Sequence, residues 1–133
     1  MKQYGCIGKK LTHSFSKEIH AKLADYNYEL IELTEEEIAP FFVKRDFAAI
    51  NVTIPYKERV IPLLDELDPL ARKIGAVNTI VNRDGRLCGY NTDFDGLCDL
   101  IRHAGIYLKG KKVAILGTGG TAKTAQAAAK HLG

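Results

Sequence analysis

Residues 113–124 read Val-Ala-Ile-Leu-Gly-Thr-Gly-Gly-Thr-Ala-Lys-Thr. The apolar run Lys112–Leu116 enters a glycine-rich turn, and an alanine-rich helical pattern, Thr121–Leu132, leaves it. Gly117, Gly119 and Ala122 match the Gly-x-Gly-x-x-Gly/Ala fingerprint of dinucleotide-binding turns, in the strand-to-helix setting it requires. Gly117 permits the tight turn, and Gly119, with no Cβ, lets a pyrophosphate approach the backbone. Ala122 is small enough for the helix to lie against the strand. The free N–H groups of the helix N-terminus then face the anion. The same residues nearly match a P-loop, with Lys123 and Thr124 in place but Ala122 where the second glycine belongs. A P-loop ATPase is therefore an alternative, and it predicts Mg²⁺-dependent nucleotide binding.

Upstream, short apolar runs alternate with helical patterns, the signature of βαβ units. Gln3–Ile7, Tyr28–Leu33 and the near-continuous apolar run Ala48–Val52 are predicted strands. Lys17–Ala24 is a predicted helix with Ser16 as candidate N-cap. Thr34, with Glu37 three residues on, forms a capping box for a helix ending near Val43. Arg59–Leu67 and Pro69–Ile74 read as short helices. Ala76–Val81 and Arg86–Tyr90 flank Asp84-Gly85, a strong hairpin signal, so one antiparallel pair interrupts an otherwise parallel sheet. Phe94, Leu97, Cys98, Ile101 and Ala104 share one helical face, and Gly105 is placed to end that helix.

Length and composition narrow the function. The chain has 133 residues, about one ordinary domain, with 46% hydrophobic and 26% charged residues, close to the globular average. A net charge of +3, scattered along the chain, gives nucleic acid little to bind. No apolar run approaches the ~18 residues of a membrane span, and Met1–Gly5 lacks the apolar core of a signal peptide. Cys6, Cys88 and Cys98 form no Cys-x-x-Cys pair, which argues against a disulfide framework or a zinc ribbon and for free thiols in a reducing cytoplasm. The four histidines show no metal-ligand spacing.

Four polar clusters sit at the ends of predicted strands, where open α/β sheets bind ligands. They are His13-Ser14-Phe15-Ser16, Asn51-Val52-Thr53-Ile54-Pro55-Tyr56-Lys57, Gly75-Ala76-Val77-Asn78-Thr79 and Gly89-Tyr90-Asn91-Thr92-Asp93. Alone, each has a plain role: Ser16 and Asp93 as helix caps, Lys57 as a surface lysine, Asn78 as a polar residue near a sheet edge. Together they supply hydroxyls, amides, one ammonium and one carboxylate, a set suited to a small polyhydroxylated acid. Lys57 beside Asp93 would be a proton-transfer pair, and a neighbouring dinucleotide turn implies hydride transfer at a carbinol.

These clusters, in this order before Leu-Gly-Thr-Gly-Gly-Thr, make the sequence resemble shikimate dehydrogenase over essentially its whole length. The resemblance implies NADP-dependent reduction of 3-dehydroshikimate to shikimate in aromatic amino-acid biosynthesis. It implies that Ser14 and Ser16 bind the substrate carboxylate, that Thr53, Asn78 and Asp93 bind the ring hydroxyls, and that Asn51 supports them. Lys57 is the implied catalytic lysine, paired with Asp93. Gly117, Gly119, Gly120, Thr121 and Ala122 are the implied NADP contacts. Lys9-Lys10 and Lys17 depart from the family, which usually has proline before and just after its His-Ser-x-Ser motif.

The expected fold is α/β: a mostly parallel sheet flanked by helices, the substrate-binding domain (1–101), followed by the first βα unit of a Rossmann-type domain (102–133). On that reading the chain is the N-terminal half of a longer enzyme, inactive alone and prone to self-association. A non-catalytic module that binds shikimate or quinate is the other reading, from a different class.

Overall fold

The computed structural model describes residues 3–133; Met1 and Lys2, part of the stretch weighed as a leader, lie outside it. Six strands form one sheet in the order β2-β1-β3-β5-β6-β4. They are β1 (Gln3–Gly8), β2 (Tyr28–Glu32), β3 (Phe47–Val52), β4 (Glu66–Leu67), β5 (Thr79–Arg83) and β6 (Arg86–Tyr90). The helices are α1 (Ser16–Leu23), α2 (Glu35–Lys44), α3 (Pro69–Ile74), α4 (Asp93–His103) and α5 (Gly120–Leu132).

Only β5 runs against the others. It is antiparallel to both β3 and β6, whereas β1–β2, β1–β3 and β4–β6 pair in parallel. The hairpin expected at Asp84-Gly85 is therefore present, but the reversal involves two antiparallel pairings rather than one. Both turn residues have positive φ, 52° at Asp84 and 93° at Gly85, the backbone that a two-residue connection between twisted strands requires.

Side-chain alternation along β1 separates two cores. Ile7 enters the larger, with Phe47, Ile50, Val52, Tyr56, Val77, Ile80 and Leu87, closed by Ile38 and Phe42 of α2. Cys6, its neighbour, points into a smaller one with Leu11 and Tyr28. A parallel strand buried on both faces needs such a continuous apolar run. The capping box of α2 is present: the Thr34 N–H donates to Glu37 Oε2 at 2.8 Å. Asp68 caps α3, accepting from the Leu70 N–H at 2.9 Å, with Pro69 in the first turn.

Three expectations are corrected. Arg59–Leu67 is not a helix: it holds a 3-10 turn at Ile61–Leu63 and then β4. The apolar spacing Val60, Ile61, Leu63, Leu64, Leu67 imitates a helical face, but Asp65 pins the segment across the sheet. Its carboxylate accepts from the Leu87 N–H and the Arg45 guanidinium at 2.8 and 2.7 Å. Lys112–Leu116 joins no strand; Val113 is 47% and Leu116 100% exposed, because extended chain becomes a strand only against a ladder partner. Ser16 and Asp93 are the first residues of α1 and α4 rather than their caps, which are Phe15 and Thr92.

Two glycines should respond oppositely to alanine. A Cβ on Gly5 would stand 2.4 Å from the Glu29 carbonyl oxygen of β2, and backbone cannot yield without breaking the ladder. Gly96 lies inside α4 with nothing within 4 Å of its Cβ position. Gly5→Ala should cost about 1–3 kcal/mol and Gly96→Ala should gain about 0.5–1 kcal/mol in urea unfolding.

The Asp65 carboxyl is held below its ordinary range by the Leu87 N–H, then by Arg45. A depressed folded value means that the stabilisation is present above the unfolded value of about 3.9 and is lost as pH falls through the folded one. Asp65→Asn should lower the urea midpoint near neutrality, and the gap from the parent should shrink below about pH 4. A gap independent of pH would contradict this account of the carboxylate.

Candidate active site

The reversed direction of β5 organises the site. Because it alone is antiparallel, its start lies at the same edge as the ends of β1, β3 and β6. Asn78 therefore precedes its strand, whereas Thr53 and Asp93 follow theirs, and all three reach one edge.

Lys57 and Asp93 are in direct contact, Nζ to Oδ2 at 2.6 Å, with their side chains 13% and 34% exposed. The other Asp93 oxygen, Oδ1, accepts from Asn78 Nδ2 at 3.0 Å. The same Nδ2 donates to Thr92 Oγ1 at 2.8 Å, and Asn78 Oδ1 accepts from the Thr92 N–H at 2.8 Å. Asn51 Nδ2 donates to Thr79 Oγ1 at 3.2 Å and Asn51 Oδ1 accepts from the Tyr28 hydroxyl at 2.6 Å. A hydrogen-bonded chain thus runs from Tyr28 through Asn51, Thr79 and Asn78 to Asp93 and Lys57. Thr53 closes the ends of β1 and β3, its N–H donating to the Ile7 carbonyl at 3.0 Å. Ser14 Oγ accepts from the Ser16 N–H at 3.3 Å, which leaves the Ser14 hydroxyl proton free to donate.

The Lys57 backbone is fixed as firmly as its amine. Tyr56, fully buried, donates its hydroxyl to the Leu33 carbonyl at 2.6 Å, and the Lys57 carbonyl accepts from the Val77 N–H at 2.8 Å. Burial raises the Cys6 thiol above its usual range, with the Lys57 charge acting the other way. Burial likewise pushes the Tyr28 phenol up, Cys6 adding to the shift and the Ser16 hydroxyl opposing it.

The glycine turn lies against this edge. A Cβ on Gly120 would stand 2.8 Å from Lys57 Cβ and 3.2 Å from Ala76 Cβ, so only glycine lets α5 dock here. Gly117 has φ 136°, a backbone suited to glycine, and its Cβ position is 3.7 Å from Ala122 Cβ. Nothing lies within 4 Å of the Gly119 Cβ position, which opens a cradle at the helix N-terminus. A cavity of 440 Å³ lies here, walled by Ile54, Pro55, Lys57, Gly117, Gly119 and Thr121 among others. An open cradle at the start of a thirteen-residue helix fits the phosphates of a dinucleotide. The P-loop alternative fares worse: Lys123 is paired with the Glu58 carboxylate.

Sequence reasoning quoted Asn91 and Thr124 but assigned them no part in the site. Asn91 Nδ2 donates to the Ala76 carbonyl at 3.0 Å and to Thr124 Oγ1 at 3.1 Å, bolting α5 to the loop before β5. An asparagine two residues before the aspartate, beside a threonine in the helix after the glycine turn, was the only signal.

A mostly parallel α/β sheet whose polar edge meets a docked glycine turn has a two-part layout, a sheet domain and a glycine turn with its following helix. The chain belongs to the family of the shikimate dehydrogenase substrate binding domain, which it matches over residues 6–80, more than half its length. It is 42% identical to a shikimate dehydrogenase (NADP(+)) of Dehalococcoides mccartyi over 98% of this chain and 48% of that one. To its counterpart in Carboxydothermus hydrogenoformans it is 44% identical over 90% of this chain and 45% of that one. The crystal structure of shikimate dehydrogenase 1 from Peptoclostridium difficile superposes with TM-score 0.96 at 39% identity, covering 100% of this chain and 52% of that one. The Thermus thermophilus shikimate 5-dehydrogenase, solved with NADP(H) and shikimate, gives 0.88 at 34%, covering 100% and 53%. The chain spans about half the length of these relatives.

Asn91→Ala should loosen α5 while sparing the sheet. It leaves the Ala76 carbonyl and, because the Phe94 N–H donates to Asn91 Oδ1 at 3.1 Å, a second group without partners, at a cost of about 1–3 kcal/mol. Amide hydrogen exchange should accelerate through 120–132 with 47–52 still protected; unchanged exchange in α5 would show that other contacts hold it.

Proposed function

We propose that this chain is the substrate-binding part, with the opening of the cofactor-binding part, of an NADP-dependent shikimate dehydrogenase that reduces 3-dehydroshikimate to shikimate. The observation that carries the reading is the Lys57–Asp93 contact of 2.6 Å at the mouth of the glycine turn. The division of labour falls at 1–101 for substrate and 102–133 for cofactor. Ser14 and Ser16 hold the substrate carboxylate; Thr53, Asn78 and Asp93 hold the ring hydroxyls, with Asn51 behind them. Gly117, Gly119, Gly120, Thr121 and Ala122 receive the dinucleotide phosphates.

The dinucleotide, when bound, supplies hydride to the carbonyl carbon. Lys57, as its ammonium, donates a proton to the carbonyl oxygen as negative charge develops there, and accepts one in the reverse direction. Asp93 anchors the amine and stabilises its charged form. Asn78 orients Asp93 by donating to the carboxylate oxygen that Lys57 does not use. Among the described residues no helix is long and apolar enough to cross a membrane; with three free cysteines, the cytoplasm is the compartment we infer. The exposed apolar side chains Val113, Ile115 and Leu116 would support self-association of this chain.

The test joins residues 1–133 to the second half of the Dehalococcoides mccartyi relative and measures steady-state kinetics. Lys57→Ala should lower kcat by about 10²–10⁴-fold with a much smaller change in KM, because the other contacts still hold the substrate. A near-normal kcat with a raised KM would make Lys57 a binding residue and overturn the mechanism. An inactive chimera that nevertheless binds shikimate would favour the non-catalytic module.

A further inference from the structure

Thr121 touches Lys57 as well as lining the cavity at the glycine turn. Its Oγ1 lies 3.3 Å from Lys57 Nζ, and the amine donates to it. Lys57 therefore has two acceptors on opposite parts of the molecule, Asp93 at the start of α4 and Thr121 in the first turn of α5. The approach is built into the packing: the Gly120 Cβ position is 2.8 Å from Lys57 Cβ, so the helix start rests on the lysine itself. Two further links lock that register, Asn91 to Thr124 at 3.1 Å and the Lys123–Glu58 ion pair.

We propose that Thr121 is a positioning residue for Lys57, its hydroxyl fixing the direction of the amine that Asp93 alone would leave free to swing. An ammonium has three donors and a freely rotating head; one carboxylate oxygen fixes a distance, and a second acceptor at an angle to it fixes an orientation. The inference rests on the proposed role of Lys57 only for its consequence in catalysis. The contact itself is a property of this chain. A hydroxyl that accepts from Lys57 keeps its own proton to donate, so the same side chain can face an anion on the glycine turn without giving up the lysine.

The experiment uses the 133-residue chain and needs no cofactor. Amine labelling under limiting reagent, read residue by residue by mass spectrometry, compares the parent with Thr121→Val and Thr121→Ser. Valine keeps the shape and removes the acceptor, so Lys57 should label about three- to tenfold faster, the worth of one modest hydrogen bond; serine should restore the parent rate. Lys123 reports whether α5 stays docked and should not change. Equal Lys57 rates in all three proteins would overturn the proposal. Faster labelling of Lys57 and Lys123 together would overturn it too, by showing that the valine merely loosens the helix. The role of Lys57 is judged separately by Lys57→Ala in the chimera: loss of kcat there with unchanged labelling here would keep the mechanism and remove Thr121 from it.

Discussion

The side chain and backbone of Asn78 tie three strands and one helix at a single buried point. Its carbonyl accepts from the Val52 N–H at 2.8 Å, joining β3, and its N–H donates to the Tyr90 carbonyl at 3.0 Å, joining β6. Its side-chain amide engages Thr92 and Asp93, at the start of α4. The residue is 8% exposed, so each of these groups would carry a desolvation cost if left unpaired. An apolar residue here could preserve the strand, but it would leave the Thr92 N–H and one Asp93 oxygen without their partners. The sheet and the charged pair thus share one support.

That support explains how a lysine with a side chain only 13% exposed is tolerated. Withdrawing an ammonium from water is costly unless it is paired and the partner's remaining lone pairs are satisfied. Asp93 meets both conditions: one oxygen takes Lys57 and the other takes Asn78. Partial exposure lowers the penalty further and leaves the amine reachable from the cavity beside the glycine turn. A pair of this kind contributes little net stability. The burial of Tyr56 and the ladder around β3 hold the loop in place; the pair anchors the amine at its end.

How much of this was legible followed from the range of the interactions involved. Signals confined to a few residues read correctly: the Thr34–Glu37 capping box, the Asp84-Gly85 turn, the apolar run of β3. Each is decided by local backbone chemistry. The clusters containing Ser14, Thr53, Lys57, Asn78 and Asp93 were visible because polar residues stood beside apolar runs. What failed depended on partners distant in the chain. Arg59–Leu67 has helical spacing, but the Leu87 N–H and Arg45 claim Asp65 from across the sheet. Lys112–Leu116 has the composition of a strand and no ladder to enter. The direction of β5 depends on its pairing with both β3 and β6, and a single hairpin signal reveals only half of that.

The two halves of the proposed substrate site are held with unequal firmness. Lys57, Asn78 and Asp93 stand on strand ends locked by backbone ladders and by Tyr56. Ser14 and Ser16 stand at the start of α1, a helix without a single buried residue, on which Phe15, Ile19 and Leu23 are 69%, 54% and 72% exposed. What holds α1 is peripheral: His20 stacks on Tyr28 with centroids 3.9 Å apart, and Lys17 meets Glu29 at 3.6 Å between exposed side chains. Few buried contacts mean a low cost of local opening. The departures from the family pattern, Lys9-Lys10 and Lys17, fall in this same segment, where proline would have restricted the chain. A carboxylate between Ser14 and Ser16 would itself supply contacts that α1 lacks. On the proposed function the strand edge would set the geometry of proton transfer before any ligand arrives, and the serine pair would be ordered by the ligand it receives.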